Sequence, residues 1–90
     1  MNSIQTGTEL ESVTELWNSL LPFDPPDKFT INLMLRQHGL ETVMYGVEET
    51  AVKRSKLGGQ MERPYALRLF GAVCCSVTRA KKQHRSEPRN

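Results

Sequence analysis

Hydrophobic residues recur at three- and four-residue steps in four separate stretches of the chain, which is the spacing of one face of an α-helix. Turn signals separate helical patterns rather than strand-like ones. The pattern therefore predicts an all-α fold, a small four-helix domain, with helices at about residues 9–20, 28–38, 40–56 and 63–82. We expect a flexible leader at residues 1–7, a single helical domain at 8–82 and a disordered basic tail at 83–90.

The fourth predicted helix combines an apolar stripe with a cationic end. Pro64 suits its first turn, where an amide hydrogen has no partner within the helix. Gly71 lies in its middle, where glycine costs about 1 kcal/mol relative to alanine, so we expect Gly71 to admit another helix backbone. The predicted buried stripe consists of Ala66, Leu69, Phe70, Val73 and Val77.

Polar caps, prolines and glycines mark the ends of the first three helices. Thr8 and Glu11 form a predicted capping box at the start of the first helix, which ends before the proline-rich elbow of residues 22–26. Asp27 is the predicted N-cap of the second helix, and Gly39 follows its last turn. These signals indicate short connections between neighbouring helices.

Each of these helices has a predicted inward face. Phe23 is expected to pin the elbow to the core, and Gly58 with Gly59 ends the third helix as a hinge. The inward residues of the first helix are Leu10, Val13, Trp17 and Leu20. Those of the second are Phe29, Leu33 and either Met34 or His38, and those of the third are Leu40, Val43, Met44, Val47 and Ala51.

Charge is distributed unevenly along the 90 residues, although the net charge is only +2. The chain through Val52 has eight acidic and two basic residues, and the chain from Lys53 onward has ten basic and two acidic residues. The two parts therefore carry net charges of −6 and +8. This asymmetry suggests contact with nucleic acid, contact with another oppositely charged surface, or pairing of the two parts, for which a homodimer is one possibility.

The sequence argues against a transmembrane helix, a signal peptide and a disulfide bond. No apolar run approaches 18 residues, so no transmembrane helix and no membrane partner are expected. The N-terminal residues lack the pattern of a signal peptide, which favours a cytoplasmic location. Cys74 and Cys75 are adjacent and too constrained for an ordinary disulfide, and we expect both to be buried free thiols.

A basic set in the second part of the chain is the leading candidate for a binding site. Its cations are expected to contact phosphates and cannot read bases by themselves. The residues expected to make these contacts are Lys53, Arg54, Lys56, Arg79, Lys81, Lys82 and Arg85, and the wider basic set also includes Arg63 and Arg68. The alternatives are an ordinary solvated surface, or neutralisation by an acidic helix of the same molecule.

A second, weaker hypothesis is a helix-turn-helix around Gly39, with the third helix in the major groove of DNA. The acidic residues Glu41, Glu48 and Glu49 oppose it, because they would then face phosphates.

Catalytic and metal-binding patterns are not found. Only His38 and His84 could join the two cysteines as ligands, and their spacing is not that of a zinc site. The sequence has no Ser-His-Asp arrangement, glycine-rich phosphate loop or H-E-x-x-H motif. We therefore expect no enzymatic activity, no cofactor and no metal.

Part of the chain resembles a known helical module. The segments that carry the resemblance are Phe29 with Leu33, Gly39–Val43, Thr50–Lys53, Arg63–Tyr65 and Leu69–Cys74. Over residues 29–82 the chain resembles the C-terminal domain of DnaD-like replication-initiation proteins of phages and other mobile elements. It lacks the separate winged helix of that family, so the resemblance implies non-specific DNA contact through the basic C-terminal end, or docking onto a replication or defence protein.

The sequence thus predicts a small non-enzymatic, nucleic-acid-associated accessory protein of a phage or mobile element, binding non-specifically and most simply to DNA. The alternative is a protein-binding adaptor or inhibitor module that acts on a host, replication or defence protein through its helical surface.

Overall fold

Four α-helices make up the protein in a computed structural model, which describes the backbone of residues 2–86 and the side chains of residues 9–81. The helices are α1 (Asn2–Leu20), α2 (Lys28–His38), α3 (Leu40–Lys56) and α4 (Arg63–Ser86). No strand occurs in the described residues. The all-α four-helix prediction is confirmed, and the bounds of α2 and α3 are those predicted.

The outer ends of α1 and α4 extend beyond their predicted limits. Because α1 begins at Asn2, Thr8 lies inside the helix, and the predicted capping box does not start it. A single Gly7 costs too little to stop the helix, and α4 continues to Ser86 because no proline follows until Pro88. Residues 83–86 are therefore helical rather than part of a tail. The remaining tail prediction, at residues 87–90, lies outside the described residues, as does Met1.

The centre of the fold is α3, which packs against each of the other three helices. At the centre of the core, the rings of Trp17 and Phe70 meet edge to face with centroids 5.4 Å apart. The indole Nε1 of Trp17 donates a hydrogen bond of 2.9 Å to the carbonyl of Phe23 in the elbow. The elbow is therefore fixed by the backbone of Phe23 as well as by its half-buried ring.

Close approach between α3 and α4 depends on Gly46 and not on Gly71. A Cβ added at Gly46 would lie 2.7 Å from Cys74 Sγ and 3.1 Å from the Phe70 ring. A Cβ added at Gly71 would meet nothing within 4 Å, so the prediction for Gly71 is wrong. At 100° per residue, Gly71 is turned away from the face on which Phe70 lies.

The inward face of α2 also differs from the prediction. Phe29 is 74% exposed and Leu33 is 41% exposed, whereas Ile31 is 1% exposed. Met34 and Leu35 pack against the core from the same side as Ile31. The helix has apolar residues on two faces, one with Phe29 and Leu33 and the other with Ile31 and Leu35. The face with Ile31 packs against the core.

The buried residues of α1 and α4 also differ slightly from the predicted ones. Leu20 is 40% exposed, and Leu21 is buried in its place. In α4 the fully buried residues follow four-residue steps, while Leu69, Val73 and Val77 are half-buried. The fully buried residues of α4 are Ala66, Phe70 and Cys74.

Glycines with positive φ lie in the α2–α3 and α3–α4 connections. Gly39, with φ of 90°, ends α2 by donating its amide to the carbonyl of Leu35 at 2.9 Å. Gly58 has φ of 70°, and its amide bonds to the carbonyl of Ser55. These left-handed positions suit glycine, and they stop each helix cleanly as predicted. Among the helices described, none has the length and apolar composition that crossing a bilayer requires.

Candidate nucleic-acid interface

The most cationic element of the structure is α4. It is a single helix of 24 residues that runs through Gly71 without a break. Its sequence contains six Lys and Arg residues and no Asp or Glu. Arg68, Arg79 and Lys81 are exposed. A long surface helix whose charged residues are all positive is a favourable arrangement for contact with a polyanion.

The predicted basic set is divided by the antiparallel pairing of α3 and α4. Thr42, at the start of α3, lies beside the C-terminal part of α4, where Lys81 Nζ donates a 3.2 Å hydrogen bond to its hydroxyl. The C-terminal end of α3, with Lys53 and Lys56, lies instead beside the start of α4. At 1.5 Å per residue, Arg79 is about 24 Å along α4 from Arg63. The structure therefore forms two separate basic groups rather than one.

The group at the end of α3 is partly engaged in packing. The guanidinium carbon of Arg54 lies 6.0 Å from the centroid of the Phe23 ring, a cation–π arrangement. The Nε atom of Arg54 is buried and has no hydrogen-bond partner within the described part of the chain. Lys53 and Lys56 are exposed. Of the three cations in this group, these two lysines are exposed and Arg54 is half-buried.

The group at the end of α4 consists of Arg79, Lys81, Lys82 and Arg85. Arg79 is exposed, and Lys81 is exposed while bonded to the neutral hydroxyl of Thr42. Lys82 and Arg85 lie within the helical backbone of α4, but their side chains are outside the described residues.

Arg68 belongs to the wider predicted basic set but was not among the predicted phosphate contacts, although it shares a face with Arg79. The two are separated by eleven residues, which is about three helical turns, so both point outward from the core. Arg63 has a structural role instead: its Nε and Nη2 donate to the carbonyls of Asp24 and Pro25 at 3.0 and 3.3 Å. The i, i+11 spacing was available in the sequence and could have identified Arg68.

Opposite charge accumulates on α1. That helix contains Glu9, Glu11 and Glu15 and no Lys or Arg. Because α1 and α4 both pack against α3, the domain has one acidic and one basic outer helix. This polarity would orient an approaching polyanion toward α4.

The helix-turn-helix hypothesis does not fit this arrangement. The third helix, α3, is packed between the others and buries Val43, Gly46 and Val47. Its exposed positions include Glu41 and Glu48. A recognition helix needs an exposed face that tolerates phosphates, and α3 does not have one.

The two cysteines differ in environment. Cys74 is fully buried, and burial together with the neighbouring Cys75 raises the pKa of its thiol to about 11. Cys75 is exposed, so the prediction of two buried thiols holds only for Cys74. Within the described residues, no group of three or more His, Cys, Asp or Glu side chains could hold a metal ion.

His38 links α2 to α4 at the same end of the domain as Arg79. Its Nδ1 lies 2.6 Å from the hydroxyl oxygen of Thr78. Burial lowers the pKa of His38 below its usual 6.5. The neutral ring is therefore favoured in the folded state.

This lowered pKa leads to an expected pH dependence of stability. Below about pH 6.5 the unfolded chain binds a proton at His38 more readily than the folded chain, so the free energy of unfolding should fall as the pH decreases. Urea unfolding between about pH 7.5 and 5.5 should show a smaller decrease for His38→Gln, because glutamine does not titrate. Identical pH profiles for the two proteins would contradict a contribution from His38.

Comparison of the chain with protein-family models, curated proteins and solved structures finds no match.

Proposed function

We propose that this protein is a small non-enzymatic accessory protein that binds nucleic acid through α4. One observation carries the proposal: α4 is a continuous helix with six cations and no acid, and Arg68 and Arg79 are exposed on its outward face. The resemblance to DnaD-like modules supports the same function and suggests a role in replication of a phage or mobile element.

The chemistry of this surface favours phosphate contacts without sequence recognition. Arginine and lysine neutralise phosphates and release counterions, which gives affinity that depends steeply on salt. The proposed contacts are Arg68, Arg79 and Lys81, with Lys82 and Arg85 in the last turns of the helix. In this assignment, Lys53, Arg54 and Lys56 lie outside the contact surface, because they are at the opposite end of the α3–α4 pair.

The test compares two variants that lose the same charge at different places. Arg68→Gln with Arg79→Gln removes two proposed phosphate contacts, and Lys53→Gln with Lys56→Gln removes two exposed lysines outside the proposed surface. With the five proposed contacts, wild-type affinity measured by fluorescence anisotropy should fall about 130-fold for a single strand and about 500-fold for a duplex between roughly 50 and 200 mM salt. The arginine variant should bind about tenfold more weakly at low salt and lower the salt slope by about 2.

The lysine variant should remain within about threefold of the wild type, because its lost charges lie outside the contact surface. Equal losses in both variants would show that net charge matters and that α4 does not form the site. Absence of binding to any nucleic acid at low salt would overturn the proposal entirely.

A second candidate function is a protein-binding adaptor or inhibitor. It is favoured by an open groove of about 370 Å³ between α3 and α4, lined in part by Tyr45 and Val77. Tyr45 is 45% exposed there, and tyrosine is a common anchor residue in protein interfaces. The double variant Arg68→Gln with Arg79→Gln discriminates the two functions, because neither arginine lines this groove: it should weaken binding of nucleic acid and leave binding of a protein partner unchanged.

A further inference from the structure

We infer that a groove between α1 and the proline-rich elbow binds a basic segment of a partner protein, a segment that carries apolar side chains beside its cations. The groove has a volume of about 740 Å³, against about 370 Å³ for the groove between α3 and α4. Its lining comes from α1, the elbow and the start of α2, and it includes no residue of the proposed phosphate surface. The inference therefore goes beyond the function proposed above, because it assigns a second ligand of opposite charge.

The apolar side chains of this groove are held in place by the fold. Pro26 is buried, and Leu10 and Pro25 are half-buried. The indole of Trp17 and the guanidinium of Arg63 both donate hydrogen bonds to carbonyl groups of the elbow. A surface that is ordered before a ligand arrives loses little conformational entropy on binding. The groove thus offers preformed apolar surface.

The charged side chains of the groove are mostly acidic. Glu11 and Glu15 are exposed on one face of α1, and a separation of four residues places them about 6 Å apart along the helix. Asp27 contributes a third carboxylate from the start of α2, and Lys28 contributes one cation. The hydroxyl of Thr14 donates to the backbone of its own helix. The groove therefore favours a positively charged ligand and repels nucleic acid.

The distribution of these carboxylates favours an extended ligand over a single ion. In the part of the chain that the structure describes, no three acidic, histidine or cysteine side chains come together closely enough to hold a metal ion. Arginine and lysine suit both parts of the groove, because their methylene stems pack on apolar surface while their charged ends bind carboxylates.

The spacing of the carboxylates defines the segment further. Two cations about 6 Å apart match Glu11 and Glu15, and this is the separation of residues i and i+4 on a helix or of i and i+2 on a strand. The ligand is therefore a protein segment in which such cations have apolar neighbours.

The experiment measures binding of labelled peptides to the full chain by fluorescence anisotropy. The probe is a peptide of about twelve residues in which arginine and leucine alternate, so that its arginines have the i, i+2 spacing. A peptide of alternating arginine and serine has the same charge without apolar side chains, and a glutamate–leucine peptide has the opposite charge. The arginine–leucine peptide should bind about tenfold or more tightly than the arginine–serine peptide, since burial of one leucine is enough for that difference. The glutamate–leucine peptide should not bind.

Two variants with the same change of charge locate the site. Glu11→Lys with Glu15→Lys should weaken binding of the arginine–leucine peptide about 10- to 100-fold, because two attractions become two repulsions. Glu41→Lys with Glu48→Lys is the matched control at two exposed positions of α3 outside the groove, and it should remain within about threefold of the wild type.

Several outcomes would overturn the inference. They are equal losses in the two variants, equal affinity for the leucine and serine peptides, or no binding of any peptide by the wild type. Light scattering that shows a wild-type dimer, lost in Glu11→Lys with Glu15→Lys, would also overturn it, because the groove would then hold a second copy of the chain. None of these results decides whether α4 binds nucleic acid, which the titrations of the arginine variant test separately.

Discussion

Replacing Trp17 with alanine is expected to lower the free energy of unfolding by about 3–5 kcal/mol. The side chain is fully buried, its ring packs edge to face against Phe70, and its Nε1 holds the carbonyl of Phe23. Alanine would leave a cavity between α1 and α4 and free the elbow. A chain of 90 residues has a total stability of roughly 5–13 kcal/mol, so this loss is a large share, measurable by urea denaturation.

Two further variants separate the contributions to this loss. Trp17→Phe keeps an aromatic ring but removes the hydrogen bond to the elbow, and should cost about 1–2 kcal/mol. Phe29→Ala removes an aromatic side chain that is 74% exposed, and should change stability by less than about 0.5 kcal/mol. A loss for Trp17→Ala no larger than that for Phe29→Ala would show that Trp17 does not organise the core.

The helices of this protein are predictable because strong local signals end them. The proline-rich elbow, Gly39 and the Gly58–Gly59 pair act within a few residues, through backbone conformation and missing amide hydrogens. The outer ends of α1 and α4 have no such signal close by. Their lengths could not be read from the sequence with the same accuracy.

The inward face of α2 could not be predicted because the helix is apolar on two sides. Periodicity identifies a helix but gives equal support to a stripe through Phe29 and Leu33 and to one through Ile31 and Leu35. The choice is made by the neighbours of α2, which are distant in sequence. The same limitation applies to Gly46, whose role depends on the side chains of Phe70 and Cys74 across the helix pair.

The candidate site was predictable in part. Composition shows that the C-terminal part of the chain is basic, but proximity in sequence suggested a single patch. The connection at residues 57–62 is short, and short connections place successive helices antiparallel. This rule was available from the sequence, and it assigns Lys53 and Arg79 to opposite ends of the α3–α4 pair.

A methyl group at position 46 is expected to lower the free energy of unfolding by about 2–3 kcal/mol, toward the upper end for overpacked cores. In Gly46→Ala the new Cβ would lie 2.7 Å from Cys74 Sγ and 3.1 and 3.2 Å from two atoms of the Phe70 ring. All three atoms belong to fully packed side chains, so relief requires α3 and α4 to separate. That cost exceeds the gain of about 1 kcal/mol from the better helix propensity of alanine.

Gly71→Ala is the matched control, because it makes the same chemical change inside a helix where a Cβ meets nothing within 4 Å. It should raise stability by about 0.5–1 kcal/mol, so that denaturation separates the two variants by about 2.5–4 kcal/mol. In a Cys74→Ala background the closest clash is removed, and the cost of Gly46→Ala should decrease. Equal stabilities for Gly46→Ala and Gly71→Ala would mean that α3 and α4 do not approach each other at Gly46, and the separation of the two basic groups, which depends on this helix pairing, would then lose its support.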